Sequence, residues 1–214
     1  MLEYAELAKI MNNSDVSLST ILEETNLSRN LHSKWSNGTG NISLKSYAKL
    51  VIFLELENKL NLKDLYTEEE MLNYYMIKRD KTVESIVKEV NIATSSAKRI
   101  LHEKNTPGLS AFLKIADCLN ICRADRERYI KFMYGIDINI LNLTYIKAKL
   151  DFNTNSICEK LGVQPKHVRS IEAGKSSIKK YINMHDLKNL VSNDVELTEL
   201  VNKVIEKGEY KLGC

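Results

Sequence analysis

Cys118 and Cys122 stand four residues apart across a candidate helix end, and Cys158 and Cys214 are the other two cysteines of this 214-residue chain. A structural zinc site takes four Cys or His ligands, and no histidine flanks the Cys118–Cys122 pair. Buried structural thiols are therefore expected, with no metal and no other cofactor. Bond-making chemistry has no better footing. The chain carries no glycine-rich phosphate loop, no HExxH, no Cys/His pair with an orienting group and no carboxylate pair within a motif, so an enzyme is not expected. What does vary along the chain is charge. Net charge is +3, from 31 Lys/Arg and 28 Asp/Glu. Residues 1–65 hold 7 basic and 8 acidic residues, whereas 66–134 and 135–214 each hold 12 and 10. Neutralising phosphates releases counterions and drives nonspecific nucleic-acid affinity, so the two later stretches suit a polyanion better than the first.

The elements that must position these charges come from a 23-residue pattern that occurs three times without a gap. It reads VSLSTILEETNLSRNLHSKWSNG at 16–38, KTVESIVKEVNIATSSAKRILHE at 81–103 and FNTNSICEKLGVQPKHVRSIEAG at 152–174. The sixth position is Ile21, Ile86 and Ile157; the eleventh is Asn26, Asn91 and Gly162; the twelfth is Leu27, Ile92 and Val163; the twentieth is Trp35, Ile100 and Ile171. Gly, and Asn better than most residues, enters the left-handed region that ends a helix. The apolar residue that follows can plug the gap between two helices. Ser28, Ala93 and Gln164 then stand at the N-cap of a second helix, Ser being the good cap and Ala the poor one. That second helix buries positions three apart: His32 and Trp35, Ala97 and Ile100, Val168 and Ile171. The pattern predicts helix, tight turn, helix in about twenty residues.

The pattern resembles the helix-turn-helix of the lambda-repressor-like (XRE/Cro-type) DNA-binding family. The third copy is the most similar: ICEKLGVQPKHVRSIEAGK at 157–175 has the Leu-Gly-Val turn and the Ile-Glu-x-Gly-Lys exit. The second copy lacks the exit glycine (Glu103) but continues KNTPGLSAFLKIADCLNI at 104–121, and the first has Asn37-Gly38 followed by SLKSYAKLVIFLEL at 43–56. The third position departs from the family, with Leu18, Val83 and Thr154 where a polar phosphate contact is usual. The resemblance implies that exposed residues of each second helix reach base edges in the major groove. They would be Arg29, Asn30, Ser33 and Lys34 in the first copy. In the second they would be Thr94, Ser95, Ser96, Lys98 and Arg99. In the third they would be Gln164, Lys166, His167, Arg169 and Ser170. Arg and Lys pair with guanine, Asn and Gln with adenine, and Ser and Thr with either. Lys104 and Lys175, and more weakly Thr39, suit backbone phosphates.

The chain reads as all-α, arranged as three tandem five-helix domains at 1–66, 67–136 and 137–214. Leading helices are expected near 3–12, 68–79 and 140–150, fourth helices at 43–56, 108–120 and 178–191, and fifth helices around 60–66, 124–134 and 195–207. Thr67-Glu68-Glu69-Glu70 reads as a capped helix start, and the second boundary falls near Gly135-Ile136-Asp137. No flexible tether separates the modules, so a semi-rigid row is expected. Trp35, the Tyr74-Tyr75 pair and Phe132-Met133-Tyr134 read as core or inter-module packing. His32 reads as partly buried, and the dense run Leu50–Leu54 suits packing on the next module or on a second chain. No 18-residue apolar run occurs, and Met1–Glu6 lacks a signal-peptide pattern, so no membrane association and a cytoplasmic location are expected. The function expected is a sequence-specific, double-stranded-DNA-binding transcriptional regulator, a repressor of bacterial, phage or mobile-element origin. The alternative is a protein-interaction regulator. In it the first module, acidic and with Leu31 on a face that should be polar, forms a homodimer or binds a protein partner.

Overall fold

The computed structural model describes residues 3–95, 97 and 108–206, and every regular element among them is a helix. The helices are α1 (Tyr4–Asn12), α2 (Leu18–Thr25), α3 (Arg29–Ser36), α4 (Leu44–Phe53), α5 (Leu62–Leu65), α6 (Met71–Lys78) and α7 (Val83–Val90). After the undescribed residues come α8 (Leu109–Cys118), α9 (Arg123–Tyr134), α10 (Leu143–Lys149), α11 (Thr154–Leu161), α12 (Pro165–Glu172), α13 (Met184–Val191) and α14 (Val195–Glu206). Short 3-10 turns occupy Leu56–Asn58 and Ile178–Lys180. None of the described helices is long and apolar enough to cross a membrane.

The eleventh repeat position ends its helix as its residue type dictates. Asn26, Asn91 and Gly162 have φ of 57°, 52° and 63°. In the first and third copies the next amide closes the helix end by donating five residues back, Leu27 to Leu22 O at 2.8 Å and Val163 to Cys158 O at 3.1 Å. These closures satisfy carbonyls that a helix end leaves open. Three residues then separate α2 from α3 and α11 from α12. The second repeat position caps the start of the first helix. Ser17 accepts from Thr20 N, Thr82 forms a reciprocal box with Ser85, and Asn153 accepts from Ser156 N. Each such cap stabilises a helix by about 1 kcal/mol.

The chain forms two compact units. The first comprises residues 1–106 with 115–129, the second 107–114 with 130–214. The division passes through α8 and α9.

In the first unit α1 packs on α3 and α2, α2 on α4, and α4 on α6. Trp35 is wholly buried and stacked on Tyr4, so its ring is core. Leu50, Val51 and Leu54 are buried while Ile52 is exposed. α4, which carries most of the apolar run 50–54, packs on α6. A long-range pin closes the unit. Asp125, with no exposed surface, accepts from Tyr66 Oη at 2.6 Å and Tyr75 Oη at 2.7 Å, and Arg128 lies 3.8 Å from its other oxygen. Burial, then the hydrogen bond to Asp125, pushes both phenols far above their ordinary value. Thr67 and Glu70 bond reciprocally just before α6.

In the second unit α10 packs on α12, α11 on α12 and α13, and α13 on α14. Ile146, Ile157, Val168, Leu187, Val191, Leu197 and Val201 form its core. Three expectations fail. The fourth helix of the third copy starts at Met184, not 178, because Ile178–Lys180 turns as 3-10 and Asn183 caps the next helix. Phe132 is 55 % exposed rather than packed, although its neighbour Tyr134 meets Phe112. The thiols expected to be buried are not: Cys122, just before α9, is exposed and donates to Asp125 at 3.4 Å, and Cys118 and Cys158 are half-buried.

Candidate nucleic-acid interface

The third copy gives the most complete view of the expected reading face. Pro165 opens α12 at its first turn, where a missing N–H costs nothing, and Gln164 precedes it without a side-chain cap bond. Val168 and Ile171 point inward. That choice turns other positions outward: Gln164, Lys166 and Arg169 are exposed, and so is Lys175 beyond the helix. Gly174, at φ 67°, turns the chain out of the helix, and Lys175 N closes it on Ser170 O at 2.9 Å.

The charges on this helix are sorted by direction. Glu172, its only acidic residue, pairs with Lys147 of α10 at 2.5 Å. The same ammonium donates to Thr154 Oγ1 of α11 at 2.9 Å. Lys147 therefore fastens the leading helix to both members of the pair. Lys166, Arg169 and Lys175 make no ion pair among the described residues. Lys179 and Lys180 follow in the next turn, with desolvation holding the Lys179 ammonium below its ordinary value. Lys166, Arg169 and Lys175 thus face outward, while the one acidic residue of α12 is paired with Lys147.

Two of the expected reading residues touch the segment that follows the helix. His167 is half-buried, its ring stacked on Tyr181 with centroids 3.9 Å apart and planes 6° from parallel. Ser170 Oγ and Ser176 Oγ are 3.0 Å apart. Tyr181 and Ser176 escaped the sequence reading because they lie beyond the repeat. Only the aromatic type of Tyr181, in an otherwise basic turn, could have signalled them.

In the first copy Arg29, Asn30, Ser33 and Lys34 all lie exposed on α3, with Leu31 and His32 half-buried beside them. Ser28 caps the helix by accepting from Leu31 N at 3.3 Å. Thr39 N closes on Lys34 O at 2.8 Å, matching the Lys175 closure. In the second copy Thr94 and Ser95 are helical and exposed, and Ala97 is buried. Ser96, Lys98, Arg99 and Lys104 lie outside the described residues. No group of three or more His, Cys, Asp or Glu among the described residues could hold a metal ion. No protein-family model, curated protein or solved structure matches this chain.

Proposed function

We propose that the chain is a double-stranded-DNA-binding regulator of the lambda-repressor-like helix-turn-helix kind, with the third copy as its principal contact. The observation that carries this reading is the charge sorting on α12. Lys166 and Arg169 face outward without ion-pair partners among the described residues, while Glu172 is held by Lys147. A helix that presents Gln164 at its N-cap, Lys166 in its first turn and Arg169 in its last has the donors and acceptors that base edges require. Lys175 lies where a backbone phosphate would follow.

In this reading α12 enters the major groove and the chain acts by occupying its site. Three tandem modules would let one chain read an extended site. The decisive experiment is in vitro selection of a preferred duplex, followed by affinity measured across a salt series. Arg169→Ala is expected to weaken discrimination at one base pair by about 1–3 kcal/mol. Lys175→Ala should lower affinity for all sequences alike and reduce the salt slope by about 1. Failure of the wild-type chain to bind any duplex at low salt would end this reading.

One observation favours a second role for the first copy. A groove of about 850 Å³ lies between α1 and the end of α4, lined by Ile10, Val16, Phe53, Leu54 and Leu56 together with the charged Glu6, Lys9, Asp15, Glu55 and Lys59. It suits a protein partner, and the half-exposed Leu31 on α3 adds apolar surface to the same module.

A further inference from the structure

The turn that follows α12 is fastened to it at two points, and one of them grips the half-buried His167 at the edge of its outward face. Ser176 ties to Ser170, and Tyr181 stacks flat on His167. Lys180 places its ammonium 5.3 Å from the Tyr181 ring centroid, a cation–π arrangement that favours keeping that ring in place. His167 sits in the first turn of α12, between the exposed Lys166 and the buried Val168. With one ring face covered, the imidazole has lost the rotamer freedom that an exposed histidine would lose on binding. What it still offers is a hydrogen-bonding edge in a fixed plane. A side chain locked by packing before the ligand arrives discriminates better than a mobile one.

We propose that Tyr181 is a positioning residue for duplex recognition: it does not reach the bases, but it orients His167 so that the imidazole edge reads one base pair. The inference rests on the reading of α12 as a DNA-contacting helix. It adds a specificity determinant outside the repeat, contributed by the turn before α13.

The test uses the full chain and the duplex selected by the wild type, with every base pair of that site substituted in turn. His167→Ala should cost roughly tenfold in discrimination at one base pair. Tyr181→Ala should lose the same preference at the same base pair, leaving the others within about twofold. Tyr181→Phe keeps the stack and should retain the preference. Tyr181→Leu, which fills volume without a flat face, guards against loss of folding and should behave like Tyr181→Ala at an unchanged melting temperature. The double variant His167→Ala/Tyr181→Ala should be no worse than either single variant. Retention of the preference in Tyr181→Leu would overturn the proposal. So would a uniform loss at all positions accompanied by a lower melting temperature, which marks a merely structural ring. A wild-type chain that binds no duplex defeats the underlying reading and this inference with it, whereas a wild type that binds beside an unaltered Tyr181→Leu defeats this inference alone.

Discussion

Single residues carry most of what the sequence could disclose. The eleventh repeat position was legible because an αL residue has few tolerated types, and Asn26, Asn91 and Gly162 all adopt it. Trp35 was legible as core because it shares a helical face with the half-buried His32. His167 and Ser170 were not legible as occupied, since their partners lie several residues past the repeat and no periodicity links them. The helix stop gives a quantitative check. A Cβ added to Gly162 would meet nothing within 4 Å, so Gly162→Ala strains only the backbone. It should cost about 1–2 kcal/mol in urea unfolding. Asn26→Gly should leave stability nearly unchanged, because it removes a mild strain while loosening the unfolded chain. An equal loss from both substitutions would show that side-chain contacts, not φ, hold these turns.

Elements were legible wherever an apolar stripe ran between two stop signals, and less so where a short basic turn intervened. The expected helix from 178 instead begins at Met184, because Asn183 supplies a cap that a run of Ser, Ile and Lys does not. Contacts between elements distant in sequence left no trace in it. Asp151, ending α10 in the αL region, accepts from Lys114 Nζ and Ser110 Oγ of α8, each at 2.7 Å. The Lys114 ammonium, and then the Ser110 hydroxyl, hold the Asp151 carboxyl below its ordinary value. A carboxyl with a depressed folded pKa adds stability above its unfolded pKa, and that stability is lost as pH falls through the folded value. The α8–Asp151 tie should therefore be intact at neutral pH and weaken only below about pH 4. Asp151→Asn should lower stability at pH 7 by no more than ~0.5 kcal/mol, because the pair is exposed, and by progressively less as pH falls below about 4. A wild-type advantage that did not shrink on acidification would contradict this assignment.

At the scale of the whole molecule, the sequence shows three copies of one motif, while residue contacts gather into two units. The reason lies in residues outside the copies. Tyr66, Tyr75, Asp125 and Arg128, which bind one another, all lie outside the three copies, and residues 107–114 belong with 130–214. A motif search finds what is local and repeated; a buried carboxylate is neither. Net charge is likewise silent on function, because a total of +3 hides the outward cations of α12. The Asp125 pin also sets an order of events in time. The helix pairs close over a handful of residues, but Tyr66 and Tyr75 meet Asp125 across 59 and 50 positions. Such closures come after local structure, since chain entropy must be lost before the contact is gained. Interactions absent from the transition state govern the escape from the native state rather than its formation. Asp125→Asn should thus speed unfolding roughly tenfold or more in stopped-flow measurements while barely changing the refolding rate, and a matching slowdown in refolding would mean the pin forms early. The first unit is in this sense kept folded by a latch that plays no part in folding it.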